Sequence, residues 1–511
     1  MNKTILVLNM GMKSIRSIIF DSMGNKLASA AVPLETSLTG ERVTQNPNEW
    51  WEKALQVMRQ TVFMADAREI DYVTVTTSAA CLVYVDKDCN ALAPCIMVSD
   101  KRAKEESAKM EALSSFKKLK EQYAIVADPY YLIPKAMWVL HNEPELYEKT
   151  YKFLTPNDYL IARLSGRYVT DYINAQKWYC DAKNRKYPAS LLQEAGIAYE
   201  KMPEIVSPGE FVEKIKKDVA EQIGITRNTK VIATTYDAIC SFVGSGTLEE
   251  GEASDVSGTV TVFRAALKQE IKKPLTKIQQ IPYYEGNLNI IGGSNNLGGG
   301  LIEWVKQCYY MNEQLPYEQM EKDAAEAELG AGGVIFLPYL LGERAPIWDN
   351  EARGVFFGLE RMHTRKEMTR AVFESTGFID LDMLTAIEET GTKINTIRVS
   401  GGLARVGLVS QIKADITGRE IHVLSEFETT ATGAAMIALY GQGVYESLAE
   451  AGDCFVQVRM IIRPNQNNYQ KYQELYGLYK ETYETIKPLF AKRNRIAERL
   501  YHLKKVKIEN L

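Results

Sequence analysis

The sequence predicts an α/β protein built from two similar domains with a cleft between them. At 511 residues the chain is longer than one hydrophobic core of ordinary size, so two domains are the default. Strands alternate with helices in both halves, which is typical of α/β layers. A strand, a glycine turn and a second strand occur at the start and again at 252–267, which indicates a duplicated architecture with one phosphate loop in each half.

The composition disfavours several classes of function. Hydrophobic residues make up 46% and charged residues 25%, and the net charge of -4 gives no general attraction to nucleic acid or anionic membranes. No apolar run is long enough to cross a bilayer, and the N-terminus turns polar before the core of a signal peptide forms. We therefore expect a cytoplasmic protein that binds neither nucleic acid nor membrane. Seven scattered cysteines without a Cys-x-x-Cys pair and only four histidines disfavour a disulfide framework, a zinc site and a Ser-His-Asp triad.

The first half opens as a meander around a polar glycine turn at 9–14. Periodicity and turn residues predict its three strands at 4–8, 15–20 and 26–32. Farther on they predict strands at 71–77 and 82–86, helices from Pro47 and Pro134, a long charged helix that ends at Lys120, and a helix within 155–166.

The segment 231–263 carries two kinds of chemistry. A short apolar run leads to Tyr236 and Asp237, and a small-residue helical pattern follows, which places a carboxylate where a strand ends and a helix begins. Farther on, Ser257-Gly258-Thr259 turns between two β-rich arms, where glycine lets backbone N–H groups approach an anion closely. A candidate base is therefore followed by a candidate phosphate loop.

Both features have structural alternatives. An Asp before an apolar helix is most often an N-cap, and Ser-Gly-Thr between strands is most often a hairpin. The functional interpretation gains support from two further glycine segments. Gly298-Gly299-Gly300 opens a helix that contains Glu303, where glycines can hold phosphate, and Gly401-Gly402 ends a strand at a turn that can accept a nucleotide base. Packing turns are the common alternative for such glycines.

The predicted organisation has three parts. We expect a first domain at 1–246, a second at 247–450, and C-terminal helices at 451–511 that pack back on the rest. The basic residues near the C-terminus predict a solvated tail. Nucleic-acid binding through this tail is the alternative, but no aromatic stacking platform accompanies it.

The order of the motifs resembles the FGGY carbohydrate kinases, from the first meander to about Gly443. The most specific matches are Pro338-Tyr339-Leu340-Leu341-Gly342-Glu343-Arg344-Ala345-Pro346-Ile347-Trp348-Asp349, Val399-Ser400-Gly401-Gly402 and Asn157-Asp158-Tyr159-Leu160. The resemblance implies two actin-like ATPase (ribonuclease H-like) domains with sugar and ATP in the cleft between them. It implies a carbohydrate kinase whose partners are ATP, Mg²⁺ and a small-molecule sugar, and it leaves a homodimer open.

The resemblance also implies roles for individual residues. Asp237 lies where the family has its catalytic aspartate, which draws the proton from the sugar hydroxyl as that hydroxyl attacks the γ-phosphate. The residues expected beside the sugar are Ala80, Cys81, Asp100, Arg102, Tyr236 and Asp237. Those expected to contact the nucleotide are Gly11, Lys13, Gly258, Thr259, Gly299, Glu303, Gly401 and Gly402. The candidate metal contacts are Asn9 and Asp237.

Two positions depart from the family's pattern. In the first loop, Asn9 stands where the family usually has an Asp that helps to hold Mg²⁺. If that group acts through metal-bound water, its replacement typically lowers metal affinity or activity by about 10–100-fold. Lys13 in the same turn could reach phosphate or point to solvent. Xylulose kinases usually carry Met-His where this chain has Cys81-Leu82, which leaves the substrate open between a sugar acid, a ketose and a polyol.

Three functions are compatible with these residues and motifs. An ATP-dependent sugar kinase leads. A sugar or nucleotide sensor that has lost turnover is motivated by Asn9 and Met12. An actin- or chaperone-like ATPase is the third, and the sugar-loop matches and the intact Asp237 segment argue against it. The sequence does not name the sugar, the hydroxyl that is phosphorylated or the oligomeric state.

Overall fold

The chain divides into two compact units. The computed structural model describes residues 3–123, 125–258, 260–273, 275–426 and 428–501. The first unit consists of the described residues within Met1–Gly246, Pro282–Leu288 and Glu428–Val456. The second consists of those within Thr247–Ile281, Asn289–Phe427 and Gln457–Leu511.

The continuous part of the first unit contains strands β1–β13 and helices α1–α10. The strands lie at Thr4–Met10, Ser14–Asp21, Lys26–Pro33, Ser37–Thr39, Arg42–Gln45, Tyr72–Thr77, Val83–Val85, Cys95–Ile96, Lys152–Leu154, Val169–Asp171, Glu204–Val206, Phe211–Lys214 and Lys230–Ile232. The helices lie at Pro47–Ala65, Lys104–Ala112, Ser114–Tyr123, Leu132–Asn142, Pro144–Lys149, Pro156–Ser165, Tyr172–Ala175, Ala189–Glu194, Lys217–Ile223 and Asp237–Gly244.

The rest of the chain contains strands β14–β22 and helices α11–α17. The strands lie at Glu252–Ser257, Thr261–Leu267, Gln279–Tyr283, Leu288–Ser294, Ile335–Leu337, Val355–Phe357, Thr396–Gly401, Glu420–Leu424 and Val458–Ile462. The helices lie at Gly299–Tyr309, Pro316–Glu326, Arg365–Glu388, Gly407–Thr417, Thr429–Gly441, Leu448–Phe455 and Gln466–Tyr501.

Each unit is built on one large mixed sheet. The first sheet has the order β3-β2-β1-β6-β13-β12 and the second the order β16-β17-β15-β14-β20-β21-β22. In each, three antiparallel strands (β3-β2-β1 or β17-β15-β14) are followed by two parallel ones (β6-β13 or β20-β21). The repeated strand order confirms the predicted α/β class and its duplicated architecture.

Local sequence explains where several elements begin and end. The middle of β1, from Ile5 to Leu8, is fully buried, as expected for a central strand covered on both faces. Helix α6 begins at a capping box formed by Thr155 and Asp158 and ends at Gly166, whose backbone is left-handed. These helix boundaries agree with the prediction.

The charged stretch that predicts one long helix forms two helices instead. Helix α2 ends before Leu113, whose backbone is extended, and α3 begins at Ser114. Glu194 of α8 accepts hydrogen bonds from the Ser114 hydroxyl and the Ser115 amide, so it satisfies a donor at the start of the new helix. The periodicity of one segment does not reveal a partner so distant in sequence.

Helix α15, which lies within the predicted second domain at 247–450, and helix α16, which crosses its predicted end, both belong to the first compact unit. Helix α15 packs on α10 with very close backbones. A Cβ on Gly433 would lie 1.8 Å from the Cys240 carbonyl oxygen, and one on Gly244 would lie 1.9 Å from that of Thr429. The Ser241 and Thr429 hydroxyls also hydrogen-bond at 2.7 Å. Glycine contacts between segments that are distant in sequence therefore hold α15 on α10.

Helix α17 packs on the core of the second unit through one face. The buried tyrosines of that face are Tyr472, Tyr476, Tyr479 and Tyr483. Across the described parts of the chain, no helix is both long enough and apolar enough to span a membrane.

Candidate active site

The carboxyl ends of β1, β6 and β13 bring the predicted sugar-side segments together in the first unit. Asn9 at the end of β1 is in register with Thr76 of the parallel strand β6. The Thr76 hydroxyl donates a hydrogen bond to the Thr235 carbonyl, beyond the end of β13, at 2.9 Å. The segments that follow these three strands therefore lie side by side, at the sheet edge where α/β proteins commonly bind ligands.

Asp237 is the first residue of helix α10 and not its N-cap. Tyr236, with an extended backbone, occupies the cap position and makes no side-chain capping hydrogen bond. One carboxylate oxygen of Asp237 accepts the Ala238 amide at 2.7 Å, and the other accepts the Ser78 hydroxyl at 3.3 Å. The side chain is half-buried. The carboxylate is thus held between the helix start and the loop that follows β6.

Ala80 and Cys81 lie in the loop after β6, and both are buried. Ala80 has a left-handed backbone with φ 59°, a conformation that costs a residue with a Cβ some energy and often marks functional loops. The Cys81 thiol has no exposed surface, and a hydrogen bond with Cys95 lowers its pKa. Cys81 therefore lies in the loop that was predicted to contact the sugar, but its side chain is directed into the core.

Asp100 and Arg102 form a two-point ion pair. The Arg102 guanidinium donates from Nε and Nη2 to the two Asp100 oxygens, both at 2.8 Å, and Asp100 also accepts the Val43 amide. Asp100 is fully buried, and the guanidinium lies 4.8 Å from the Trp138 ring centroid. The charge of Arg102 is therefore balanced within the protein.

Tyr236 is buried beside Lys177, a lysine that is not among the residues predicted for the site. The Lys177 ammonium lies 5.2 Å from the ring centroid of Tyr236 and 5.6 Å from that of Tyr131. Cations are attracted to the faces of aromatic rings. A half-buried positive charge is thus placed next to the residue that precedes Asp237.

The first glycine turn begins later than predicted. Strand β1 continues to Met10, so Asn9 lies within the strand and is half-buried. The Gly11 amide donates to the Ser14 carbonyl at 3.0 Å. Among the described residues other than its two neighbours, no heavy atom lies within 4 Å of the position that a Cβ on Gly11 would occupy. Lys13 is exposed. The turn is thus sterically open around Gly11.

In the second unit, three glycine segments meet around Ser257 and Gly258. The Gly299 amide, at the start of α11, donates to the Gly258 carbonyl at 2.8 Å, and the Gly402 amide donates to the Ser257 carbonyl at 2.9 Å. Gly401 has φ 86°, and a Cβ there would lie 2.4 Å from the Ser257 carbonyl oxygen. Glycines separated in sequence therefore build one cradle, which joins the two segments predicted to hold phosphate with the turn predicted to accept the nucleotide base.

The two remaining predicted nucleotide contacts are Thr259 and Glu303. Thr259 lies outside the described residues. Glu303 is on α11, where its carboxylate pairs with Lys306 at 2.7 Å and accepts the Tyr317 hydroxyl. These contacts with Lys306 and Tyr317 lower the pKa of Glu303 against the opposing effect of its partial burial. The carboxylate is thus an anion engaged with its own helix and α12.

The candidate metal contacts are oxygen donors of a suitable kind. Within the described ranges, no group of three or more His, Cys, Asp or Glu side chains could hold a metal ion. Mg²⁺ is usually held by one or two carboxylates together with substrate phosphates and water. The Asp237 carboxylate and the Asn9 amide lie at the same sheet edge and fit an ion held in that way.

Two family models cover most of the chain. Residues 4–244 match the N-terminal domain of the FGGY family of carbohydrate kinases, and residues 255–441 match its C-terminal domain. The chain belongs to the FGGY family of carbohydrate kinases. This confirms the resemblance stated from the sequence motifs, and the protein is a carbohydrate kinase.

Relatives match along nearly the whole FGGY chain. A xylulose kinase of Bacillus subtilis is 28% identical and covers 95% of this chain and 98% of its own. A gluconokinase of the same organism is 24% identical and covers 98% and 97%. A gluconate kinase structure from Lactobacillus acidophilus has a TM-score of 0.88 at 25% identity over 96% of this chain and all of its own. The fold is therefore the two-domain fold of these kinases.

Besides Lys177, two further residues near the predicted site of this FGGY kinase are absent from the residues predicted from its sequence. They are Ser78, which contacts Asp237, and Lys135, whose ammonium donates to the carbonyls of Ala80 and Met97. A signal for Lys135 exists, because it is a lone charged residue in the apolar run Leu132-Ile133-Pro134-Lys135-Ala136-Met137. Ser78 carries no such signal, since its role depends on a hydrogen bond to a residue distant in sequence.

Proposed function

We propose that this carbohydrate kinase transfers the γ-phosphoryl group of ATP to a hydroxyl of a ketose, a sugar acid or a polyol, with Asp237 as the general base. The observation that carries the proposal is the position of Asp237. Asp237 is the first residue of α10, the helix that follows β13. Its carboxylate accepts hydrogen bonds from the Ser78 hydroxyl and the Ala238 amide. The names of the relatives, xylulose kinase and gluconokinase, favour a ketose or a sugar acid.

The proposed reaction moves one proton and one phosphoryl group. The attacking sugar oxygen bonds to the γ-phosphorus, and the bond between that phosphorus and the oxygen bridging to the β-phosphate breaks, so that ADP leaves. The sugar hydroxyl proton passes to the Asp237 carboxylate. A positioned base of this kind typically contributes about 10²–10⁴-fold to the rate. Ser78 and Ala238 orient the carboxylate before the sugar binds.

We assign different tasks to the two units. The first unit, through 1–246, supplies the base and the sugar contacts, and the second supplies the nucleotide contacts. Support for the second assignment comes from the cradle of Gly258, Gly299, Gly401 and Gly402, since glycines carry no side chain that would keep a phosphate away from the backbone.

The proposed metal is Mg²⁺, and Asn9 and Asp237 are the side chains we assign to it. When bound, the ion neutralises charge that develops on the transferred phosphate. Asn9 offers a neutral oxygen where the family usually has a carboxylate, so a weaker contribution to metal binding is expected from that position. The sensor without turnover is not favoured, because Asp237 and its contacts are intact.

The experiment that tests the proposal is a coupled assay of ADP release with pentuloses, hexuloses, polyols and aldonates. The proposal expects sugar-dependent release with at least one class and a large loss in the Asp237→Asn variant. ADP release that does not depend on sugar would support a chaperone-like ATPase. Sugar binding without ADP release would support a sensor.

A further inference from the structure

Lys135 is a lysine enclosed in the first unit. It lies in the first turns of α4, and none of its surface is exposed. Its ammonium donates hydrogen bonds to two backbone carbonyls, that of Ala80 at 2.6 Å and that of Met97 at 2.9 Å. Lysine is among the residues least often buried without a charged partner.

A stabilising ion pair does not account for this burial. In the portion of the chain that the structure describes, no carboxylate oxygen lies within 4.0 Å of the Lys135 ammonium. Removal from water lowers the pKa of Lys135, against the opposing influence of the Cys81 and Cys95 thiols. Burying an ammonium is costly, and carbonyl groups compensate only part of that cost. The lysine therefore needs an explanation other than fold stability.

The two carbonyls belong to the two sugar-side loops. Ala80 is the left-handed residue of the loop after β6, in which Ser78 contacts Asp237. Met97 begins the turn that leads to Asp100, since its carbonyl also accepts the Asp100 amide. The backbone already connects the two loops, because the Leu82 and Ile96 amides each donate a hydrogen bond to the carbonyl of the other residue. Lys135 extends this connection to the loop residues themselves.

We propose that Lys135 is a positioning residue for sugar binding, which fixes the loop after β6 and the turn at Met97 relative to each other. It acts through the carbonyls of Ala80 and Met97 and does not itself touch the sugar. The left-handed Ala80 is held in place by this contact, and with it the Ser78 hydroxyl that orients the base. This inference rests on the proposed function, because it takes these loops as the sugar contacts.

The test compares two lysines that make the same kind of hydrogen bonds. Lys201 also lies in the first unit, and its ammonium donates to the carbonyls of Tyr147 at 3.1 Å and Thr150 at 2.5 Å, away from both loops. Lys135→Met and Lys201→Met each remove a lysine ammonium and leave two carbonyls without that donor. The measurement is the KM for the sugar, the KM for ATP and kcat, together with the thermal midpoint of unfolding.

The expected result is specific to the sugar. In Lys135→Met the KM for the sugar should rise about tenfold or more. A shift of about 1 Å in the groups that position a substrate can lower catalytic efficiency by up to about 100-fold. The KM for ATP should remain near that of the wild type. In Lys201→Met both KM values should be unchanged, whatever the change in thermal midpoint.

Other outcomes would overturn the inference. If Lys135→Met lowers kcat only in proportion to the folded fraction, with an unchanged KM for the sugar, the lysine is a packing residue. If this variant does not fold, Lys135→Gln replaces it. Its side chain is one bond shorter than that of lysine and should not reach both carbonyls, so a wild-type KM for the sugar would again contradict the role. Absence of wild-type turnover with every sugar would overturn the proposed function itself, so the two failures are distinguishable.

Discussion

The hydroxyl of Ser78 donates a hydrogen bond of 3.3 Å to the carboxylate of Asp237. The two residues follow different parallel strands, β6 and β13, and meet at the carboxyl edge of the first sheet. The other carboxylate oxygen accepts the Ala238 amide, so both oxygens are oriented by the protein. A carboxylate held in this way can accept a proton from a bound hydroxyl without first having to reorganise.

Replacement of Asp237 should remove most of the turnover. Asp237→Asn keeps the size of the side chain and one acceptor oxygen but removes the base, so kcat should fall by about 100-fold or more. The thermal midpoint of unfolding should change little, because asparagine has nearly the size of aspartate and the side chain at this helix start is only half-buried. Steady-state ADP release and thermal denaturation check both points. The matched Ser78→Ala variant should lose less, and near-wild-type activity of Asp237→Asn would refute the proposed role.

A carboxylate at position 9 should change the response to Mg²⁺. Asn9 is half-buried at the end of β1, beside the open turn at Gly11. Asn9→Asp introduces an anionic oxygen of the kind that Mg²⁺ prefers, so half-maximal activity should require less Mg²⁺. Titration of activity with Mg²⁺ at saturating sugar measures the difference, with Asn9→Ala as the variant that lacks any ligand oxygen. Superimposable titrations for all three proteins would show that position 9 is a bystander.

Two adjacent glycines should differ sharply in their tolerance of a methyl group. A Cβ on Gly401 would lie 2.4 Å from the Ser257 carbonyl oxygen at φ 86°, whereas the nearest atom to one on Gly402 is 3.9 Å away. Gly401→Ala should therefore displace the loop at Gly258 and raise the KM for ATP by about tenfold, the equivalent of ~1.4 kcal/mol. Gly402→Ala should fold normally, so it is the control for folding. An unchanged KM for ATP in Gly401→Ala would argue against the cradle.

The stability of the second unit should depend on the ionisation of Glu343. This side chain is 4% exposed, its carboxylate accepts the amides of Asn296 and Arg344, and burial raises its pKa to about 7. In the unfolded chain a glutamate ionises near pH ~4.3, so between these values the folded state binds more protons. The free energy of unfolding should therefore decrease as the pH rises through this range, by at most about 4 kcal/mol from this group.

The variant Glu343→Gln isolates that contribution, because glutamine does not ionise. The measurement is urea denaturation of both proteins at roughly pH 5 and pH 8, because most of the ionisation of Glu343 falls between these two values. The wild type should lose more stability than the variant between the two values. An equal loss in both proteins would mean that Glu343 is already ionised in the folded protein at the lower pH.

Much of this protein could be predicted from its sequence. The glycine turns, the strand order implied by two meanders, and the carboxylate at the start of α10 are local features, because turn residues and periodicity act over a few positions. Helix α6 has its predicted ends for the same reason, since Thr155 and Gly166 set them.

Other features depend on contacts between distant segments, and only the tertiary structure decided them. Cys81 lies in the predicted sugar loop, but the packing of that loop against Cys95 directs its thiol into the core. Lys135 reaches Ala80, a residue separated from it by 55 positions. Helix α15 joins the first unit because glycines allow its backbone to touch α10. Sequence determined the local geometry and the chemical groups, whereas packing between remote segments determined which groups share a site.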